Sequence, residues 1–179
     1  MVKIDFDTDK SIKKDIQTLY VKAFPRSERP TVHYFFESVN RNEENKLFGY
    51  YENNEFVGFT FLTFYKDVVY LFFLAVSESK RNQGYGTKIL SEVKESYKDK
   101  VILLCYEETN EKYKDNDLRL RREDFYRRNG FKNNGYKTDE FGVIFQTAYI
   151  GNHTVSFEDY VEIFALGFGK WSKKFVKKQ

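Results

Sequence analysis

Between Arg81 and Thr87 the chain reads Arg-Asn-Gln-Gly-Tyr-Gly-Thr, closing an apolar run that begins at Val69. Gly84 and Gly86 allow backbone N–H groups to approach a bulky ligand without obstruction from Cβ atoms. Beyond them, Ile89, Leu90, Val93 and Tyr97 give Thr87–Lys98 the period of a helix with one buried face. A helix N-terminus carries unpaired N–H donors and a partial positive charge, so this junction suits a phosphate or pyrophosphate. The chemistry expected is the holding of a phosphorylated cofactor. A dinucleotide fingerprint is excluded because Ile89 stands where its third glycine belongs, and Gly86-Thr87-Lys88 has the wrong order for a P-loop.

Other side chains could act on a bound group. Glu107 follows a short apolar run, Val101–Tyr106, and a carboxylate in a dry pocket there can accept a proton, directly or through water. Glu108 would point the other way if the strand continues, and a solvated acidic loop over 107–117 is the plain alternative. His33 and His153 have the right intrinsic range for a base. His33 lies among aromatics as a packed or surface residue would, and His153 lies in a loop-like Gly-Asn-His stretch. Cys105, inside the apolar run, is read as a small hydrophobe.

The elements that must position these residues follow from periodicity and turn signals. Lys3–Phe6 reads as a strand, and Ser11–Ala23 as a helix closed by Pro25 with Ile12, Ile16, Leu19, Tyr20 and Ala23 on one side. Arg26–Pro30 reads as a charged connector and Thr31–Asn40 as a second helix. Leu47–Tyr51 and Phe56–Tyr65 form a strand pair around Glu52-Asn53-Asn54-Glu55, and Lys66-Asp67 turns into the strand before the glycine loop. Three antiparallel strands thus precede the loop. Val101–Tyr106, a helix over Asp117–Arg128, strands Lys132–Lys137 and Val143–Ile150, and a helix opened by Ser156-Phe157-Glu158-Asp159 follow it. With no repeat or linker, residues 1–179 are expected to form one mixed α/β domain.

Two spaced signatures lie in this order: Arg81-x-x-Gly84-x-Gly86, and Phe125-Tyr126-x-x-x-Gly130-Phe131. Together with the loop–helix–strand–helix sequence, they resemble the GNAT superfamily of N-acetyltransferases over most of the chain. The resemblance implies a central mixed, mostly antiparallel twisted sheet, splayed between its fourth and fifth strands and flanked by helices. It implies acetyl-CoA as cosubstrate and no metal. Arg81, Asn82, Gln83, Gly84, Tyr85, Gly86 and Thr87 would hold the pyrophosphate, while the backbone at Leu74 and Val76 would pair with the pantetheine arm like an added strand. A backbone N–H on that strand could polarise the thioester carbonyl.

Tyr126 would protonate the leaving thiolate, since a phenol is protonated at neutral pH. Gly130 would close its helix. Family members commonly carry an asparagine at the position held here by Arg119. Arg119, Arg121 or Arg122 would then either meet cofactor phosphates or form salt bridges. The function implied is transfer of an acetyl group to a primary amine of a small-molecule acceptor. The alternative is a non-catalytic acyl-CoA-binding module with the same fold. Acceptor contacts would come from Thr31–Asn40 and Val143–Trp171, with Tyr34, Phe35, Phe36, Phe145 and Tyr149 as wall or as core.

Composition sets bounds. With 41% hydrophobic and 32% charged residues and a net charge of +3, the chain suits a soluble domain, and its 19% aromatic share gives a core of large flat side chains. That aromatic load leaves a homodimer open. The polar N-terminus argues against a signal peptide, and no apolar run reaches the roughly eighteen residues of a membrane span. One cysteine and two histidines exclude a disulfide and a structural zinc site. A cytoplasmic protein with no membrane or nucleic-acid partner is expected. The lysines between 170 and 178 are read as a solvated, partly frayed terminus.

Overall fold

The protein is described by a computed structural model that covers residues 1–26 and 29–179. Ser27 and Glu28, in the expected connector Arg26–Pro30, lie outside the described residues. The architecture is mixed α/β, with eight strands paired mostly antiparallel, one parallel pair, and flanking helices. The chain divides into two compact units, residues 1–64 with 71–96, and residues 65–70 with 97–179.

The first unit contains β1 (Val2–Asp5), α1 (Lys13–Ala23), α2 (Val32–Arg41), β2 (Asn45–Glu52), most of β3 (Glu55–Tyr65), the later part of β4 (Val68–Val76) and α3 (Tyr85–Ser96). β1 pairs antiparallel with β2, and β2 with β3. The β2–β3 turn places Asn53 and Asn54 at φ of +52° and +64°, as a two-residue hairpin turn requires. Thr31 caps α2 by accepting the Tyr34 N–H at 3.3 Å. The centre of this unit is aromatic. The fully buried Tyr20 ring stacks on Phe35 at 4.2 Å and meets Phe73 edge-on at 5.3 Å. Phe35 and Phe36 are buried in this core.

The second unit contains the start of β4, then β5 (Val101–Glu107), α4 (Asn116–Arg128), β6 (Lys132–Glu140), β7 (Val143–Ile150), α5 (Phe157–Phe168) and β8 (Val176–Lys178). β7 pairs antiparallel with both β5 and β6. α5 opens where its capping pattern places it, with Ser156 Oγ accepting the Asp159 N–H at 3.1 Å.

The C-terminal segment corrects the expectation of a frayed tail. Lys170–Phe175 forms a 3-10 turn, and β8 adds antiparallel to β6. Phe141 N–H donates to the Phe175 carbonyl at 3.2 Å, and Gln179 N–H donates to Lys137 at 2.9 Å. Val176 is buried, and that apolar anchor with the added ladder holds the lysines in place. Among the described residues no helix is long and apolar enough to cross a membrane.

Candidate active site

The glycine loop lies wholly within the first unit. On β4, Leu71, Phe73 and Ala75 are buried while Phe72, Leu74 and Val76 are half-buried, the alternation of a pleated strand. Gly58 on β3 lets this strand come close. A Cβ built at Gly58 would lie 2.2 Å from the Ala75 carbonyl oxygen, so any other residue would displace β4. After a short turn at Glu78–Lys80, Arg81 Nε donates to the Val76 carbonyl at 3.2 Å and Gln83 Nε2 to the Ser79 carbonyl at 2.8 Å.

Asn82 and Gly84 then take φ of +59° and +80°. Gly84 is needed for that dihedral, since a Cβ there would meet nothing within 4 Å. The first helical bond of α3 runs from Lys88 N–H to the Gly84 carbonyl at 3.0 Å, so the amides of Tyr85, Gly86 and Thr87 precede it. The helix starts two residues earlier than periodicity indicates, which places Gly86 inside its first turn.

Glu52 and Glu55, at either end of the β2–β3 turn, were not singled out in the sequence. The Tyr85 hydroxyl donates to Glu52, and Lys80 pairs with Glu55, so the hairpin holds the loop on both flanks. Lys88 lies 3.9 Å from Glu52. These hydrogen bonds push the Tyr85 hydroxyl up and hold both carboxylates below their usual range. The pairing of two acids with two cations around a turn has no local sequence pattern, which is why the sequence did not reveal it.

The other candidates lie in the second unit. Tyr126 faces inward from α4, with its ring stacked on Tyr106 at 5.7 Å and set edge-on to Phe131 at 5.7 Å. The spacing of its signature has a structural cause. Gly130, at φ +93°, donates to the Arg127 carbonyl at 3.0 Å, and Phe131 N–H donates to the Tyr126 carbonyl at 3.1 Å. That is a Schellman closure, and the Tyr126–Phe131 ring contact is its accompanying apolar pair. Burial pushes the Tyr126 hydroxyl up to about 12, with Arg122 pulling the other way. The phenol is protonated at neutral pH and able to donate.

Glu107 is 3% exposed. Arg119 Nη2 lies 2.7 Å from one of its oxygens, and Arg122 Nη1 pairs with the other. Arg119 is fixed further by Asp115 at 3.1 Å, by the Glu108 carbonyl at 3.2 Å, and by the Tyr113 ring at 3.9 Å. Of the two readings left open for these arginines, Arg119 and Arg122 form salt bridges. Arg122 is shared: it binds Glu107 and its charge acts on Tyr126. Glu108 turns to Lys137 at 2.7 Å and Tyr113 at 3.2 Å, which hold its carboxyl below the usual range. His33 is exposed beside Glu37, and His153 lies near Asp67, both at 3.5 Å.

Cys105 belongs to a buried polar cluster. Tyr70 donates to its sulfur at 2.9 Å and shares a 3.1 Å hydrogen bond with Tyr160. Tyr160 and Thr138 donate to Glu140, the latter at 2.8 Å. Burial pushes the thiol well up, which makes it a poor nucleophile.

The model of the acetyltransferase (GNAT) family matches residues 11–131, from the start of α1 through both signatures. The chain belongs to the GNAT family. No curated protein matches it. Among solved structures it is similar to a GNAT-family chain from Bacteroides thetaiotaomicron, with TM-score 0.76 and 21% identity over 94% of this chain and 99% of that one. It is also similar to an aminoglycoside 6'-N-acetyltransferase complexed with coenzyme A, with TM-score 0.62 and 17% identity over 84% and 96%. A third is the ribosomal-protein-S18-alanine N-acetyltransferase of Escherichia coli, with TM-score 0.62 and 15% identity over 87% and 96%. At these identities the likeness establishes the GNAT fold, and the acceptors named belong to those proteins.

Proposed function

We propose that residues 1–179 work as one domain, an N-acetyltransferase that moves an acetyl group from acetyl-CoA directly to a primary amine of a small molecule. The observation that carries this reading is the loop: Gly84 in a left-handed conformation, followed by three first-turn amides, in a GNAT-family chain. Arg81, Asn82, Gln83, Gly84, Tyr85, Gly86 and Thr87 hold the pyrophosphate, a fit supported by the open space at Gly84. The half-buried strand at Leu74 and Val76 offers backbone to the pantetheine arm. Bound acetyl-CoA supplies a thioester open to attack by an amine. A small-molecule acceptor is favoured by the aminoglycoside enzyme among the similar structures, while the ribosomal-protein enzyme keeps a protein amine as the comparison case.

Tyr126 donates its phenolic proton to the leaving sulfur and recovers it from solvent. Glu107 takes the amine's proton. Both its oxygens are engaged, so Arg122, the more exposed partner, must release one to the amine or to a bridging water. Those same ion pairs favour a second reading of this one residue, in which Glu107 anchors the two arginines and solvent takes the proton. Glu107→Gln separates the two. Loss of the acidic limb of the rate–pH profile supports the base; an unchanged limb with a lowered melting temperature supports the anchor.

The deciding experiment titrates acetyl-CoA into the protein and into Gly84→Glu by calorimetry, then follows thiol release over a panel of aminoglycosides, polyamines and peptide N-termini. Wild-type binding that is lost in the folded variant is the expected result. Tyr126→Phe should lower kcat about 100-fold while leaving acetyl-CoA affinity unchanged. Binding with no thiol release across the panel would leave the non-catalytic acyl-CoA-binding module, and no binding would overturn both.

A further inference from the structure

The second unit presents three aromatic rings to water in one cluster. Phe141 is 51% exposed, Trp171 48% and Phe175 37%. Phe141 stacks on Phe175 at 4.8 Å, and Trp171 lies 6.0 Å from Phe141 and 5.8 Å from Phe175. Exposed aromatic surface of this kind marks an interaction site more often than chance placement does.

Phe141 adds an independent observation. With Gly142 it forms the β6–β7 turn, at φ of +53° and +87°. A two-residue turn with both φ positive strongly prefers Asn-Gly or Asp-Gly, and a bulky residue in the left-handed region is an outlier. A strained ring held half in water points to use of the ring itself.

Charge identifies the occupant. Lys170, Lys173, Lys174, Lys177 and Lys178 surround the cluster in sequence, and residues 170–179 contain no acid. These five lysines lie within nine residues, although Lys173 meets Glu162 and Lys177 stands opposite Asp139 in the β6–β8 ladder. Lys173 pairs with Glu162 at 2.6 Å, while Lys170, Lys174, Lys177 and Lys178 are exposed. A second copy would bring like charges together. A single-stranded nucleic acid would need ring faces for its bases, yet Phe141 and Phe175 cover each other, and the segment has no arginine for stacking. Rings that enter the headgroup region, with the Lys174 ammonium 5.0 Å from the Phe175 ring and further exposed lysines close in sequence, suit a negatively charged bilayer surface.

We propose that the Phe141–Trp171–Phe175 cluster and its lysines dock the protein peripherally on an anionic lipid surface. The cluster shares no residue with the glycine loop or Tyr126, so the proposal does not depend on the acetyltransferase reading.

Trp171 is the sole tryptophan and reports directly on this face. Its emission would be followed against vesicles of phosphatidylcholine alone, and against vesicles with about one-third phosphatidylserine, with flotation in parallel. The expected result is a blue shift and co-flotation only with the anionic vesicles, reversed by about 0.5 M salt. Phe141→Asn installs the residue this turn prefers, so it should fold with an undiminished melting temperature yet bind at least about tenfold more weakly. Lys174→Glu with Lys177→Glu should abolish binding. No blue shift with anionic vesicles, equal binding to neutral ones, or full binding by folded Phe141→Asn would overturn the proposal. A Trp171 response to a single-stranded oligonucleotide but not to vesicles would overturn it in favour of nucleic acid.

Discussion

Glu107 ends in β5 with 3% of its surface exposed and Glu140 ends β6 with 8%, yet the two carboxylates of this one unit meet opposite surroundings. Glu107 is gripped by two guanidinium groups, one on each oxygen. Glu140 accepts from the hydroxyls of Tyr160 and Thr138 and from the Cys105 thiol, and among the described residues no cation pairs with it. Burial of an acid demands either a counter-ion or a proton. The first solution fixes a cluster beside Tyr126. The second pushes Glu140 up to about 7, with burial as the main cause, and makes that part of the core sensitive to pH.

The comparison breaks most visibly if the counter-ion is removed. Glu107→Ala removes the carboxylate that Arg119 and Arg122 share, while Arg119 keeps Asp115, and should cost about 3 kcal/mol in denaturant unfolding. A cost under about 1 kcal/mol would show that the arginines find water instead.

Glu140 gives the next effect. Unfolded, it ionises near 4.5; folded, near 7, so the native state retains a proton that the unfolded chain has lost. Its contribution is complete below about pH 4.5, declines between there and about 7, and is absent above. The decline amounts to about 3 kcal/mol. Glu140→Gln should flatten stability across that window and raise it above pH 7, as melting curves at stepped pH would show. An unchanged slope would place the titration elsewhere.

Arg122 carries the smallest stability effect, because its side chain is 39% exposed. Arg122→Gln should cost about 1 kcal/mol or less. Its sharper readout is turnover: the Arg122 charge offsets part of the upward push of burial on the Tyr126 phenol, so its loss should lower kcat for thiol release. A kcat unchanged in Arg122→Gln would separate the ion-pair cluster from the proposed acid.

The same contrast governs how much the sequence disclosed. The loop and the Tyr126–Phe131 signature were legible because they are local: glycine dihedrals and a Schellman closure are written within a few consecutive residues. The strands and helices appear where hydrophobic period and turn residues place them, with ends moved by at most three residues. The Glu107–Arg119–Arg122 cluster joins β5 to α4 across an intervening loop, and Glu52–Tyr85 and Glu55–Lys80 join a hairpin to a loop far along the chain. No spacing rule marks such pairs. The three-residue β8 has no sequence signal, because Val176 is its one buried side chain, too little for alternation to register.

Gly58 has a genetic consequence. Every single-base change in a glycine codon that alters the amino acid adds a Cβ or stops translation, and here a Cβ would sit 2.2 Å from the Ala75 carbonyl oxygen. Drift has no small step to take at this position. In a library of all single substitutions scored for acetyl-CoA binding, position 58 should tolerate only synonymous codons.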